Sequence, residues 1–274
     1  MKRTGSFLIL FFAGMLVFFA GGYWAGIPHW ARSVVKTTIP VLFLLTTVAC
    51  GRVEALRPWR KASAALLAAS CGFLVAWWLS DPIMTAIGAT PDSVSGIALT
   101  KLVDSVLVVI PVIVVARLGG LSPANLYLRR GKMRAWLIVG LVSFAVFAGI
   151  FLLQTADQVL TARQLFVLAP WALVFVFANA FMEELHFRGL LLAPFGDLLG
   201  PHAANICIAL FFTLVHAPVT YTPDILVFLL VVFPLAMIWG YVIQKTEALW
   251  GSVLFHAGAD LLIVAGISAT YGVA

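Results

Sequence analysis

Long apolar runs recur along almost the whole chain, and they restrict it to one class of fold. A helix needs about 20 mostly apolar residues to cross a bilayer, and nine runs come close to that length. Only 10% of the residues are charged, and the mean hydropathy is +1.08. We therefore predict an all-α, polytopic membrane helical bundle of about 8–9 transmembrane helices. The runs lie at about 6–27, 34–51, 62–80, 97–116, 135–154, 164–185, 202–217, 224–243 and 248–268, the second and seventh being short.

Basic residues in the short loops orient these helices. Lys2 and Arg3 precede the first run, the segments 52–61 and 117–134 are rich in Lys and Arg, and the loop 81–92 carries acidic charges alone. Short cytoplasmic loops collect Lys and Arg, so we predict a cytoplasmic N-terminus and, with nine crossings, a C-terminus on the outer side. The excess of basic residues is a topology signal and does not indicate nucleic-acid binding. The expected surroundings are the lipid bilayer of the bacterial inner (plasma) membrane.

The basic segment also divides the chain. We predict an N-terminal four-span membrane region at 1–116, to which the sequence assigns no role, and a basic cytoplasmic loop at 117–134. The remaining block, 135–274, contains three polar points within or beside its apolar runs: a glutamate pair at 183–184, a histidine at 216, and a histidine and an aspartate at 256 and 260. Ionisable side chains at membrane depth are costly and usually serve chemistry or ion movement.

The two glutamates have different expected roles. Glu184 and Arg188 are four residues apart, so they share a helix face, and the guanidinium anchors the carboxylate. Glu183 points about 100° away from Glu184 and shares its face with Asn179 and with His186 or Phe187. Glu184 is therefore expected to support the site, and Glu183 to act as a general base.

The three polar points lie at similar depths when residues are counted along their helices. We treat 164–195 as one long helix that turns near Pro194 and Gly196. Counting 1.5 Å per residue from the predicted helix ends, Glu183, His216 and His256 lie roughly 18, 22 and 13 Å deep. All of these depths fall in the middle of a ~30 Å hydrocarbon layer. His256 and Asp260 share a helix face, which predicts one polar pocket formed by three helices.

Two chemistries suit that pocket. His216, His256, Glu183 and Asp260 could together hold zinc or another divalent metal. Without a metal, Glu183 and His216 would activate a water molecule, and His256 with a partner would stabilise an oxyanion. Both routes hydrolyse a peptide bond inside the membrane. An ion- or proton-coupled transporter, or a non-catalytic membrane scaffold or immunity protein, would use the same buried charges differently.

Three motifs follow one another in this block. The first is EExxxR, from Glu183 to Arg188; the second is FxxxH, from Phe212 to His216; the third is a histidine followed four residues later by Asp260. In this order they resemble the CPBP family of intramembrane proteases, which includes the type II CAAX prenyl endopeptidases and bacteriocin-processing relatives. The resemblance covers about residues 120–270 and identifies 135–274 as an intramembrane protease core.

The resemblance implies an α-helical membrane fold and an endopeptidase that cuts near a membrane anchor or at a C-terminal or leader signal. The implied substrate is a membrane-anchored peptide or protein. Glu183 with His216 would activate the water, and His256 and Asp260 would orient the substrate carbonyl or complete the site. Members of the family have been described both as metal-dependent and as glutamate-type enzymes. At position 260 this chain has Asp, where eukaryotic members tend to have Asn.

Overall fold

The computed structural model describes residues 3–23, 26, 28–156, 161–219 and 224–271, so that Lys2 lies outside the described part. The regular elements of these residues are helices, which confirms the predicted all-α class. The α-helices are α1 (Arg3–Met15), α2 (His29–Arg52), α3 (Arg60–Ala86), α4 (Val94–Leu118), α5 (Met133–Ala156), α6 (Ala162–Glu183), α7 (Leu190–Leu199), α8 (Pro201–Val215), α9 (Ile225–Thr246) and α10 (Trp250–Tyr271). Two π-helical segments, Leu16–Tyr23 and Glu184–Gly189, and a 3-10 segment, Glu54–Trp59, join some of them.

Eight helices among the described residues are long and apolar enough to cross a membrane. The protein is thus an integral membrane protein, and the predicted seventh span, 202–217, is the exception to the nine runs. It corresponds to α8, which has 15 residues and a length of roughly 22 Å, shorter than the ~30 Å hydrocarbon layer. Most of its side chains are buried against other helices. Its apolar character therefore reflects burial in protein rather than contact with lipid.

The motif-bearing helix is longer than predicted. It begins with a capping box at Thr161 and Gln164 and runs without a break to Leu199, a stretch of 37 residues from Arg163. The predicted turn near Pro194 and Gly196 is wrong, because both residues lie inside α7. The chain turns instead at Gly200, whose φ of 84° suits glycine, and Pro201 starts α8.

Contacts at one end of the bundle fix the relative positions of its loops. Lys61 Nζ lies 2.9 Å from Asp197 of α7, and Arg129 Nη2 lies 2.8 Å from Glu247 in the turn before α10. Gln244 near the end of α9 donates to the Pro201 carbonyl at 2.8 Å. The α7–α8 and α9–α10 turns therefore lie on the same side as the basic loops 52–61 and 117–134. The predicted topology makes this side cytoplasmic.

The N-terminal helices pack directly on the motif helix. The Phe18 ring, in the first π-helical segment, lies 4.2 Å from the Phe187 ring and 5.3 Å from the Phe211 ring, measured between centroids. His186 Nε2 donates to the Ala69 carbonyl of α3 at 3.0 Å. Because these contacts are buried, the first spans form one wall around the helix that carries the glutamate pair.

Candidate active site

Glu184 is the most fully bonded side chain of the candidate site. It is completely buried, and its Oε1 accepts from Arg188 Nη1 at 2.7 Å and from His256 Nδ1 at 2.8 Å. Its Oε2 accepts from Ser252 Oγ at 2.7 Å. The predicted contact between Glu184 and Arg188 is confirmed, and the carboxylate also connects the π-helical segment Glu184–Gly189 to α10. Such a buried carboxylate is stable only because charged and polar donors replace water around it.

Arg188 is held by two aromatic rings as well as by its ion pair with Glu184. Its Cζ lies 4.3 Å from the centroid of the Phe212 ring and 5.1 Å from that of the Trp239 ring, as in cation–π contacts. Phe212 is the first residue of the FxxxH motif, so this motif supports the arginine of the first one. Arg188 itself is completely buried, and its Nε donates to the Ala236 carbonyl at 3.4 Å.

His256 has a fixed orientation. Because Nδ1 donates to Glu184, the opposite nitrogen, Nε2, points to the two other carboxylates. It lies 3.7 Å from Glu183 Oε2 and 3.5 Å from Asp260 Oδ1. The Trp239 ring stacks on the imidazole with a centroid separation of 4.0 Å and an angle of 8°. The Glu184 carboxylate occupies Nδ1 and the Trp239 indole covers one ring face, so Nε2 is the nitrogen that remains available to a substrate. The hydrogen bond at one ring nitrogen commonly sets the role of the other in this way.

Glu183 differs from its neighbour in the way the sequence predicts. It is 5% exposed, and its Oε2 has no hydrogen-bond partner among the described residues. It therefore has an oxygen available for a water molecule or a substrate, whereas Glu184 does not. Asp260 also lies close to His256 Nε2, and its Oδ2 accepts from Asn179 Nδ2 at 3.0 Å. The structure thus brings together Glu183, His256 and Asp260.

His216 belongs to the same region but not to the same hydrogen-bonded group. It caps the end of α8, and its Nδ1 donates to the Phe212 carbonyl at 2.7 Å. The Phe212 ring is 4.6 Å from the His216 ring and 6.2 Å from the His256 ring. Glu183, His256 and Asp260 are within electrostatic range of His216. The predicted activation of one water molecule by Glu183 and His216 stays a prediction, and the imidazole that lies within 4 Å of Glu183 in the described part of the chain is that of His256.

His186 lies away from this group. Besides the Ala69 carbonyl, its neighbours are the Phe18 and Phe73 rings, at centroid distances of 4.9 and 4.5 Å. The predicted sharing of a helix face by Glu183 and His186 does not bring the two side chains into contact, because the His186 ring packs against the N-terminal helices.

Three residues of the site carried no assigned role in the sequence: Asn179, Ser252 and Trp239. The first two have a signal, since Asn179 precedes Glu183 by four residues and Ser252 precedes His256 by four, which places each pair on one face. Trp239 has none. It is one of nine Trp in the chain, and its position depends on how α9 crosses α10.

The predicted metal site was compared with the donors in the structure. No group of three His, Cys, Asp or Glu side chains within the described residues is arranged to hold a metal ion. His256 Nδ1 is bonded to Glu184, and His216 Nδ1 to a carbonyl. Glu183, His256 and Asp260 lie close together and His216 lies apart from them, but their side-chain positions do not form a ligand set for a metal ion, and the metal site stays a prediction.

Comparison with known proteins points to one family. Residues 164–262 match the sequence model described as type II CAAX prenyl endopeptidase Rce1-like. This range contains Glu183, Glu184, His216, His256 and Asp260, and the predicted resemblance is confirmed over it. This part of the chain is thus similar to the Rce1-like type II CAAX prenyl endopeptidases. No curated protein and no solved structure matches the chain.

Proposed function

We propose that this protein is an intramembrane endopeptidase that hydrolyses a peptide bond close to a membrane anchor, such as a lipidated terminus, a C-terminal sorting tail or a leader. The observation that carries the proposal is the environment of Glu183. Its buried Oε2 has no hydrogen-bond donor among the described residues and lies 3.7 Å from Nε2 of a histidine that Glu184 holds in place. An oriented base beside an oriented imidazole is what hydrolysis of an amide requires.

In the proposed reaction Glu183 is the general base. A water oxygen forms a bond to the substrate carbonyl carbon while the water proton passes to Glu183 Oε2, and the carbonyl π electrons move to the oxygen. When His256 is protonated, its Nε2–H donates to that oxyanion, and Asp260 keeps the ring in position. The proton on Glu183 then passes to the leaving nitrogen as the C–N bond breaks. His216 stabilises the charge of this cycle from beyond Phe212.

The first prediction tests this scheme with the purified protein in detergent. The probes are quenched fluorescent peptides: one set ends in a prenylated cysteine followed by three residues, and a second set represents leaders and sorting tails. Glu183→Gln should lower kcat by at least about 100-fold, the usual contribution of general base catalysis. His216→Ala should lower kcat by a smaller factor, because His216 acts on the charge of the cycle and does not accept the water proton. Glu54→Gln and His202→Ala are matched controls, because both residues are exposed and remote from the site.

Two results would contradict the proposal. One is cleavage of a probe that Glu183→Gln leaves unchanged, which would place the base elsewhere. The other is uptake of an ion or solute that needs Glu183 while all probes stay intact, which would favour the transporter.

A chelation series separates glutamate chemistry from a metal-dependent version of the same function. We expect cleavage to survive a chelator and the purified protein to bind zinc below stoichiometric amounts, since the side-chain positions of the four candidate donors do not form a ligand set for a metal ion. Stoichiometric metal that is removed together with activity, and restored with it, would establish the metal-dependent version.

A further inference from the structure

Asn179 has an unusual position next to the proposed base. It lies on α6 four residues before Glu183, so both side chains project from one face. Each is 5% exposed. The Asn179 Nδ2 group donates to Asp260 Oδ2 at 3.0 Å. A carboxylate can only accept, so this bond decides which end of the amide faces Asp260. Its Oδ1 is consequently directed elsewhere.

That oxygen and the free oxygen of Glu183 have the same unsatisfied state. Asn179 Oδ1 and Glu183 Oε2 are both buried acceptors that have no donor among the described residues. Buried polar atoms without a partner are rare in native proteins, and each calls for an explanation. The Cβ atoms of residues four apart on a helix are roughly 5–6 Å from each other. One small molecule with two O–H donors can therefore bridge the two oxygens, and water has this property.

We infer that Asn179 and Glu183 together bind the hydrolytic water, which makes Asn179 a catalytic residue. The inference rests on the proposed endopeptidase function. The water donates one hydrogen to Glu183 Oε2 and the other to Asn179 Oδ1, and a lone pair of its oxygen is left to attack the carbonyl carbon. During attack only the proton on Glu183 is transferred. The O–H bond directed to Asn179 stays intact and fixes the direction of the nucleophile.

Asp260 has a second role in this arrangement. Through Oδ2 it holds the amide of Asn179, and through Oδ1 it approaches His256 Nε2 at 3.5 Å. The groups that bind the water and the group that faces the oxyanion are thus connected through one side chain. A misplacement of the nucleophile by about 1 Å can cost roughly 100-fold in rate. The connection through Asp260 would therefore affect kcat, because it fixes the position of the water relative to the oxyanion.

Two double variants test the inference, and both contain Asp260→Asn. In Asn179→Asp/Asp260→Asn, the amide and the carboxylate exchange places, so the hydrogen bond between them and an acceptor for the water are both retained. In Asn179→Leu/Asp260→Asn, the new side chain has a similar size and no acceptor. We expect kcat of the second variant to be about 10- to 100-fold below that of the first. KM should be little changed, because the interaction serves the nucleophile and not substrate binding.

Thermal unfolding in detergent shows whether each variant is folded. If Asn179→Leu/Asp260→Asn does not fold, Asn179→Ala/Asp260→Asn takes its place. Equal kcat values in the two kinds of double variant would overturn the inference, as would a loss confined to KM. If Glu183→Gln abolishes cleavage while the double variants are equal, the inference fails alone. Cleavage that persists in Glu183→Gln overturns the proposed function and the inference with it.

Discussion

Two adjacent carboxylates have opposite surroundings in this protein. Glu184 accepts three hydrogen bonds from Arg188, His256 and Ser252, whereas Glu183 Oε2 accepts none among the described residues. Pairs of titratable groups in unlike environments commonly divide the work of a site between them. The helical spacing of four predicts the arginine contact, because both partners are on one helix. The serine and histidine contacts cross to α10, and no local pattern specifies such a crossing.

At this scale we expect Glu184→Leu to lower the free energy of unfolding by about 3–5 kcal/mol, because the buried Arg188 would lose its counter-charge. Ser252→Ala should lower the free energy of unfolding by about 1–3 kcal/mol, since Glu184 Oε2 would lose the hydroxyl that donates to it. Thermal unfolding of the purified variants measures both. The double variant Glu184→Leu/Arg188→Leu should recover much of the stability but no peptidase activity. A Glu184→Leu protein as stable as the wild type would contradict the assignment of Glu184 as the anchor.

At the scale of elements, the π-helical segment Glu184–Gly189 is the main departure from the predicted helix. The N–H of Leu190 bonds to the Leu185 carbonyl, a spacing of five that is typical of such segments and is often found at functional sites. The apolar pattern correctly predicts a long helix here, and the motif marks its important part. The residue types of the segment do not encode the local change in winding. Within this segment Phe187 and His186 contact the N-terminal helices, and a local pattern does not specify such long-range contacts.

The N-terminal helices therefore have an expected role, which is to hold the π-helical segment in register. His186→Leu removes the hydrogen bond to the Ala69 carbonyl and should lower kcat more than it raises KM. His186→Gln keeps a donor that can reach the carbonyl and should restore part of the activity. His202→Leu, an identical change at an exposed position near the start of α8, is the control. Comparable kinetics for His186→Leu and the control would show that the segment does not need this contact.

For the molecule as a whole, apolar length and loop charge predict most of the architecture. Hydrocarbon thickness sets helix length, so the bundle follows from the sequence. The short helix α8 does not follow from the sequence. A helix that is surrounded by protein needs neither the length of the hydrocarbon layer nor side chains that face lipid. The candidate active site is predicted only in outline. The depth of each polar residue can be counted along its helix, but the angles at which α6, α9 and α10 cross cannot be derived from the sequence.

The contacts at the basic end of the bundle lead to a topology prediction. In a protein whose native cysteines are replaced, Arg130→Cys and Asp197→Cys should react with an impermeant maleimide only after right-side-out vesicles are opened. Asp92→Cys should react in sealed vesicles. All three positions are exposed, so burial does not limit the reaction. Labelling of Asp197→Cys from outside would separate the α7–α8 turn from the basic loops and contradict the arrangement.

The stacking of Trp239 on His256, together with the near-complete burial of Glu183, has a consequence for selectivity. In the proposed endopeptidase, the buried Glu183 is out of reach of a helix that passes the protein in the bilayer. A substrate would have to enter between the packed helices and present an unwound stretch to Glu183 and His256. Selection of substrates would then depend on how readily a transmembrane segment unwinds, and the amino-acid sequence around the cleavage site would matter less.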